Sequence, residues 1–159
     1  IIRNPISIYK SFFKWSNSVI LWKTRQGLGT KESFKELIKN RKIDLPKEYE
    51  FLRWGAIKAL LFTTSFEQFV EYAITKNKLP GTLIERLSDK SESVIVDNIF
   101  KLEEIENFWD YFSELTGTQF KNIQENKSRN FETPLTDRIR EFIYQKHKID
   151  FDYFNYKIF

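Results

Sequence analysis

Arg3, in the stretch RNPISIYKS, stands where a sequence would place a grip for an anion. Two β-branched residues, Ile1 and Ile2, lead into it, and Asn4 and Pro5 follow. Asparagine suits a helix N-cap and proline the first helical position, so the spacing predicts Arg3 at a strand-to-helix turn. A guanidinium is a planar fork of donors that matches two phosphate oxygens. Asn4 and Ser11 are seven residues apart and so share nearly one helix face. The Ser11 hydroxyl then lies in line with the helix N-terminus, able to donate to a phosphate alongside it. Each charge-assisted bond of this kind contributes about 1.5–3 kcal/mol. The plainer alternatives are a strand-end arginine that is exposed or paired with a carboxylate, and an ordinary solvent-facing serine.

Other chemistry is scarce. One histidine and no cysteine exclude disulfides and thiol chemistry, and argue against zinc, whose ligands are mostly these two residue types. The histidine, His147, lies between Lys146 and Lys148 near the end of the last predicted helix. There its expected role is at the surface, complementing the helix dipole. The pairs Glu103/Glu104 and Asp150/Asp152 have no supporting histidine or metal-loop pattern, and read as caps and surface. Lys127 and Arg129 form a second basic cluster in the polar stretch 121–132. The net charge of +4 and a pI near 9.1 suit an anionic ligand. The basic residues are spread along the chain and matched by 22 acids, which argues against nucleic acid as a partner. The longest apolar runs, such as AIKALLF, are short and carry a lysine, so no membrane segment is expected. The absence of cysteine favours a reducing compartment, and a bacterial-type cytoplasm is the expected location.

The elements that must position these residues are mostly helical. A helix from Pro5 to about Ser18 or beyond carries Ile8, Phe12, Trp15 and Val19 as an apolar stripe, widened by Tyr9 and Phe13. QGLGT is a loop in which Thr30 caps a helix bearing Phe34, Leu37 and Ile38. A turn at Leu45-Pro46 leads to a helical stretch over 47–62, and Ser65 with Gln68 forms a capping box ahead of SFEQFVEYAI. SVIVDNI, 93–99, reads as a buried parallel strand, with Ile1 and Ile2 the end of another. A helix over 102–115 stops at Gly117, and the last begins at Thr133-Pro134 with Leu135, Ile139, Phe142 and Ile143 inward. No repeat or internal boundary divides 1–159, which is read as one domain.

In their order these pieces resemble the C-terminal half of the sulfotransferase fold, in particular the family that includes carbohydrate sulfotransferases. The resemblance rests on RNPISIYKS, on SFEQFVEY (65–72), on VIVDNIFKLEEIENF (94–108), on NKSRNF (126–131) and on DFDYFNY (150–156). It covers nearly the whole chain except 19–62, which reads as an acceptor-specific insertion. It implies a helix-rich α/β, P-loop-like fold with a small parallel sheet, the N-terminal phosphosulfate-loop part being absent from these residues. It implies a sulfuryl donor, 3′-phosphoadenosine 5′-phosphosulfate, needing no metal, and a hydroxyl acceptor, most plausibly on a carbohydrate. It assigns Arg3 and Ser11 to the donor's 3′-phosphate, and Lys127 and Arg129 to a loop closing over that phosphate or the adenine. Glu103 matches a recurrent family glutamate and reads as structural. No catalytic base is identified among these residues. Trp15, Trp22 and Trp54 are core by default, or could stack on an acceptor sugar. Two other readings stand beside this one: a non-catalytic helical interaction module with a basic surface, and a nucleotide-kinase-like phosphotransferase.

Overall fold

Helices begin where the cap residues stand. In the computed structural model, which describes residues 1–40, 45–79, 81–91, 93–120 and 131–158, seven α-helices are found among the described residues. Helix α1, Pro5–Arg25, starts with the Asn4 side chain accepting the Ile6 N–H at 2.9 Å. Helix α2, Lys31–Lys39, is opened by a reciprocal box between Thr30 and Ser33. A 3₁₀ turn, Lys47–Arg53, leads into α3, Gly55–Leu61. Helix α4, Phe66–Thr75, is capped by Ser65, which accepts the Gln68 N–H at 3.2 Å. The Gln68 side chain does not close a box on Ser65. It accepts instead from the backbone N–H and hydroxyl of Thr64. Helix α5, Leu83–Leu87, is a single turn behind a Thr82–Glu85 box. A 3₁₀ turn, Leu102–Glu104, precedes α6, Ile105–Thr116, which ends at Gly117 in the left-handed region. Helix α7, Asp137–Phe154, starts a turn later than Thr133-Pro134 and bends at His147, whose φ of −115° and ψ of 23° are not helical.

The core lies where α1, α3, α4 and α7 meet, with α2 against α3. Phe66, Phe69, Val70, Ile57, Leu61, Ile139 and Ile143 are fully buried there, and Phe13 meets both Phe66 and Phe69 edge-on at 5.3 Å. Helix α1 presents Ile6, Tyr9, Phe13, Ser16 and Ile20 to this core. Of the stripe expected to do so, Tyr9 and Phe13 are buried, while Ile8, Phe12, Trp15 and Val19, about 100° round the helix, are half-buried or exposed. Both stripes are apolar, so spacing alone does not say which one meets the core. A smaller cluster of Ile2, Leu83, Ile84 and Phe154 forms a second core between the chain start, α5 and the end of α7.

The expected α/β fold with a small parallel sheet is overturned. Among the described residues there is no strand, only two isolated bridges, Ile2 with Lys101 (parallel) and Ser88 with Val94 (antiparallel). SVIVDNI is β-branched but has no strands beside it, so its N–H and C=O groups cannot build a ladder. Ile95 and Val96 are 66% and 38% exposed rather than buried on two faces. What shapes the segment is the turn before it. Asp89 Oδ1 accepts from the Ser91 and Ser93 N–H groups and folds the chain back on Ser88. These hydrogen bonds, that of the Ser91 hydroxyl foremost, lower the Asp89 pKa.

Candidate anion-binding cleft

The backbone around Arg3 is held on both sides. The Ile2 N–H donates to the Phe100 carbonyl at 2.8 Å, and the Leu102 N–H donates to the Ile2 carbonyl at 2.7 Å. The Asn4 N–H donates to Glu103 Oε1 at 3.0 Å, and the Asn4 side-chain amide to the Lys157 carbonyl at 3.4 Å. Glu103 therefore fixes the turn that carries Arg3.

From this turn a cleft of about 540 Å³ opens along the outer face of α1. Arg3 and Ser11 both line it, with Ile8, Phe12 and Trp15 as the α1 wall. Across from them stand Arg86 and the leucines of α5, with Leu102 at the base. The guanidiniums of Arg3 and Arg86 have no hydrogen-bond or ion-pair partner among the described residues. Among the described residues, no Asp, Glu or His lines the cleft. Two fixed positive charges, one hydroxyl and an apolar aromatic wall suit a phosphorylated ligand with a flat organic part, and the volume lies within the usual range for small-molecule sites. Among the described residues, the groups the lining offers a ligand are two guanidiniums, a hydroxyl and apolar side chains.

Arg86 was not among the residues expected at the site. Its neighbourhood, TLIERL, carries the Thr82–Glu85 capping signal, and with Leu83, Ile84 and Leu87 turned to the protein the arginine must face outward. That signal marks a helix end, and nothing local says that its outer face meets α1. Lys127 and Arg129 lie outside the described residues. Of the three tryptophans, Trp15 and Trp54 pair at 5.1 Å, while Trp22 lies under the Lys23 ammonium at 4.5 Å.

Two expectations are corrected. His147 is buried rather than on the surface, and Asp150 is completely buried. His147 Nδ1 lies 3.1 Å from Asp150 Oδ2, and His147 Nε2 lies 3.1 Å from the Tyr9 hydroxyl. A carboxylate can only accept, which assigns the ring proton to Nδ1 and leaves Nε2 to accept from Tyr9. Asp150 also accepts the N–H groups of Leu83 at 2.8 Å and Ile84 at 3.0 Å. Burial pushes the Tyr9 phenol well above its usual value. Three basic residues in a row, Lys146, His147 and Lys148, read as exposed, but His147 stands four residues after Ile143 and eight after Ile139, on the buried face of α7. Asp152 is exposed, as expected.

Among the described residues no helix is long and apolar enough to cross a membrane, and no three His, Asp or Glu side chains gather as a metal site. Comparison with protein-family models, curated proteins and solved structures finds no match for this chain.

Proposed function

We propose that the Arg3 cleft binds the 3′-phosphate end of 3′-phosphoadenosine 5′-phosphosulfate, and that the chain serves transfer of its sulfuryl group to a hydroxyl, most naturally of a carbohydrate. One observation carries this reading: two unpartnered guanidiniums and the Ser11 hydroxyl converge on one cleft with an aromatic wall. It does not depend on a sheet. In the transfer a bond forms between the acceptor oxygen and sulfur as the bond from sulfur to the 5′-phosphate oxygen breaks, and the acceptor proton leaves. The residues described here take the binding part of that work. Arg3 and Arg86 grip phosphate oxygens, Ser11 donates a hydroxyl, and Phe12 and Trp15 offer ring faces to the nucleoside.

The test is calorimetric titration of the chain with adenosine 3′,5′-bisphosphate, AMP and ATP, in wild type and Arg3→Ala. One or two charge-assisted bonds to the extra phosphate predict a preference for the bisphosphate over AMP of roughly tenfold or more. Arg3→Ala should remove that preference. Equal affinity for the bisphosphate and AMP, or a preference for ATP, would overturn the reading, the latter in favour of a kinase-like phosphotransferase.

A further inference from the structure

We propose that the buried set Asp150–His147–Tyr9 is a positioning device for the cleft, acting through Arg86. The inference rests on the reading of the cleft as an anion site. Helix α5 has only five residues, Leu83–Leu87, and a single turn does not hold itself together. Its start is fixed from below by Asp150, each carboxylate oxygen taking one backbone N–H, of Leu83 and of Ile84. Arg86 stands three residues beyond Leu83, so the direction of its side chain follows from how that turn is anchored.

Asp150 is in turn oriented by His147, and His147 by the Tyr9 hydroxyl on α1, two residues before Ser11. A continuous buried chain of hydrogen bonds thus joins the helix that carries Ser11 to the turn that carries Arg86. A small cavity of about 20 Å³ lies between this chain and the cleft, and Tyr9, His147, Ile8, Leu83 and Arg86 line it. Ile8, Leu83 and Arg86 also line the cleft, so one layer of side chains separates the two. Loss of Asp150 acts on the ligand through Arg86, which a purely structural role would not do. Asp150 and His147 touch no ligand and are positioning residues.

A double-mutant cycle tests this, with affinity for adenosine 3′,5′-bisphosphate measured by calorimetry at a temperature where circular dichroism shows every variant folded. Asp150→Asn keeps the shape but sets an amide donor against a backbone N–H. It should weaken binding about tenfold in the wild-type background, the loss of about one charged contact. In the Arg86→Ala background it should cause no further loss. The Arg86 Nε–H resonance should also shift in Asp150→Asn. Unchanged affinity in folded Asp150→Asn would overturn the proposal, as would an equal loss in both backgrounds. Should Asp150→Asn fail to fold, Tyr9→Phe decides the matter. Weakening of about threefold in the wild-type background alone supports the device, and unchanged affinity rejects it. Failure of Arg3→Ala to weaken binding would reject the cleft reading itself, whatever Asp150→Asn does.

Discussion

Replacing Gly55 by alanine sets two effects of opposite sign against each other, and the structure says which wins. Gly55 opens α3, and its φ is not in the left-handed region, so alanine is conformationally allowed. Taken alone, helix propensity would stabilise the variant by up to about 1 kcal/mol. Against this, a Cβ at Gly55 would lie 1.9 Å from the Lys78 carbonyl oxygen and 2.8 Å from its carbon. Those are backbone atoms, and no rotamer change removes them. Nor is Lys78 free to retreat, because its N–H donates to the Ala73 carbonyl at 2.8 Å at the end of α4. The preceding residue, Asn77, is already left-handed, with φ of 46°. Overpacking of a well-packed site costs about 1–3 kcal/mol, and a backbone collision belongs at or above the top of that range. Subtracting the propensity gain leaves a net loss of about 2 kcal/mol, or a fall in Tm of about 4–8 °C for a chain of this size.

Two other glycines serve as controls in the same urea and thermal unfolding measurements. Gly27 has φ of +76° and open space around it, so Gly27→Ala adds only left-handed strain of about 1 kcal/mol. Gly81→Ala would meet the Glu85 carboxylate, the mobile end of a side chain, at the cost of part of the Thr82 cap. A Gly55→Ala protein as stable as wild type, or less affected than Gly27→Ala, would refute the claim that α3 and the end of α4 touch through their backbones.

Two further outcomes follow from the same structure. Burial raises the phenols of Tyr9 and Tyr156 above their usual value, with the charges of Glu103, Asp150 and Glu104 adding to the shift at Tyr156. The stability these neutral phenols contribute is complete below the unfolded value of about 10, and is lost as pH rises from there towards the raised values. Urea midpoints should therefore fall between about pH 9.5 and 11.5, and Tyr9→Phe or Tyr156→Phe should flatten the fall; an unchanged slope in both variants would count against burial of these groups. Helix α6 has no buried residue, and it packs on the 3₁₀ turn just before it and on the rings of Phe100 and Phe120. Its amides should exchange with deuterium about 100-fold or more faster than those of Phe69–Ala73 in α4, and equal protection would contradict this packing.

How much was legible in the sequence depended on how far away the deciding partner lay. Asn4-Pro5, Thr30, Ser65 and Gly117 mark helix ends in the structure because a cap is satisfied within about three residues. SVIVDNI failed because a strand is defined by its neighbours, and β-branched composition does not supply them. His147 and Asp150 failed for a related reason. The groups that bury them are Tyr9, 138 residues from His147, and Leu83, 67 residues from Asp150. Local spacing cannot name partners at that range, although it does put His147, four residues after Ile143, on the inward face of its helix. Of the cleft's lining, Arg3 and Ser11 were named from the sequence because they stand close together around the start of one helix, and Arg86 was not, because tertiary packing brings it there.

The charge of the cleft also narrows which anion it suits. Arg3 and Arg86 line one cavity, and among the described residues no carboxylate lines it with them, so two positive charges stand beside an apolar wall. That wall excludes water from one side and strengthens the field of the charges, while Arg86, being exposed, is screened more than half-buried Arg3. A phosphomonoester carries about −1.5 to −2 at neutral pH and can answer both guanidiniums at once. A sulfate ester carries a single negative charge and would leave one of them uncompensated. On electrostatic grounds the proposed anion site suits a terminal phosphate better than a sulfate ester. Arg3 is carried on a turn pinned by the backbone bonds of Ile2 and Asn4, so in the proposed site it would set where a phosphate sits. Arg86 stands on a single turn whose start is anchored by Asp150, and in the proposed site it is the member of the pair tied to the protein interior.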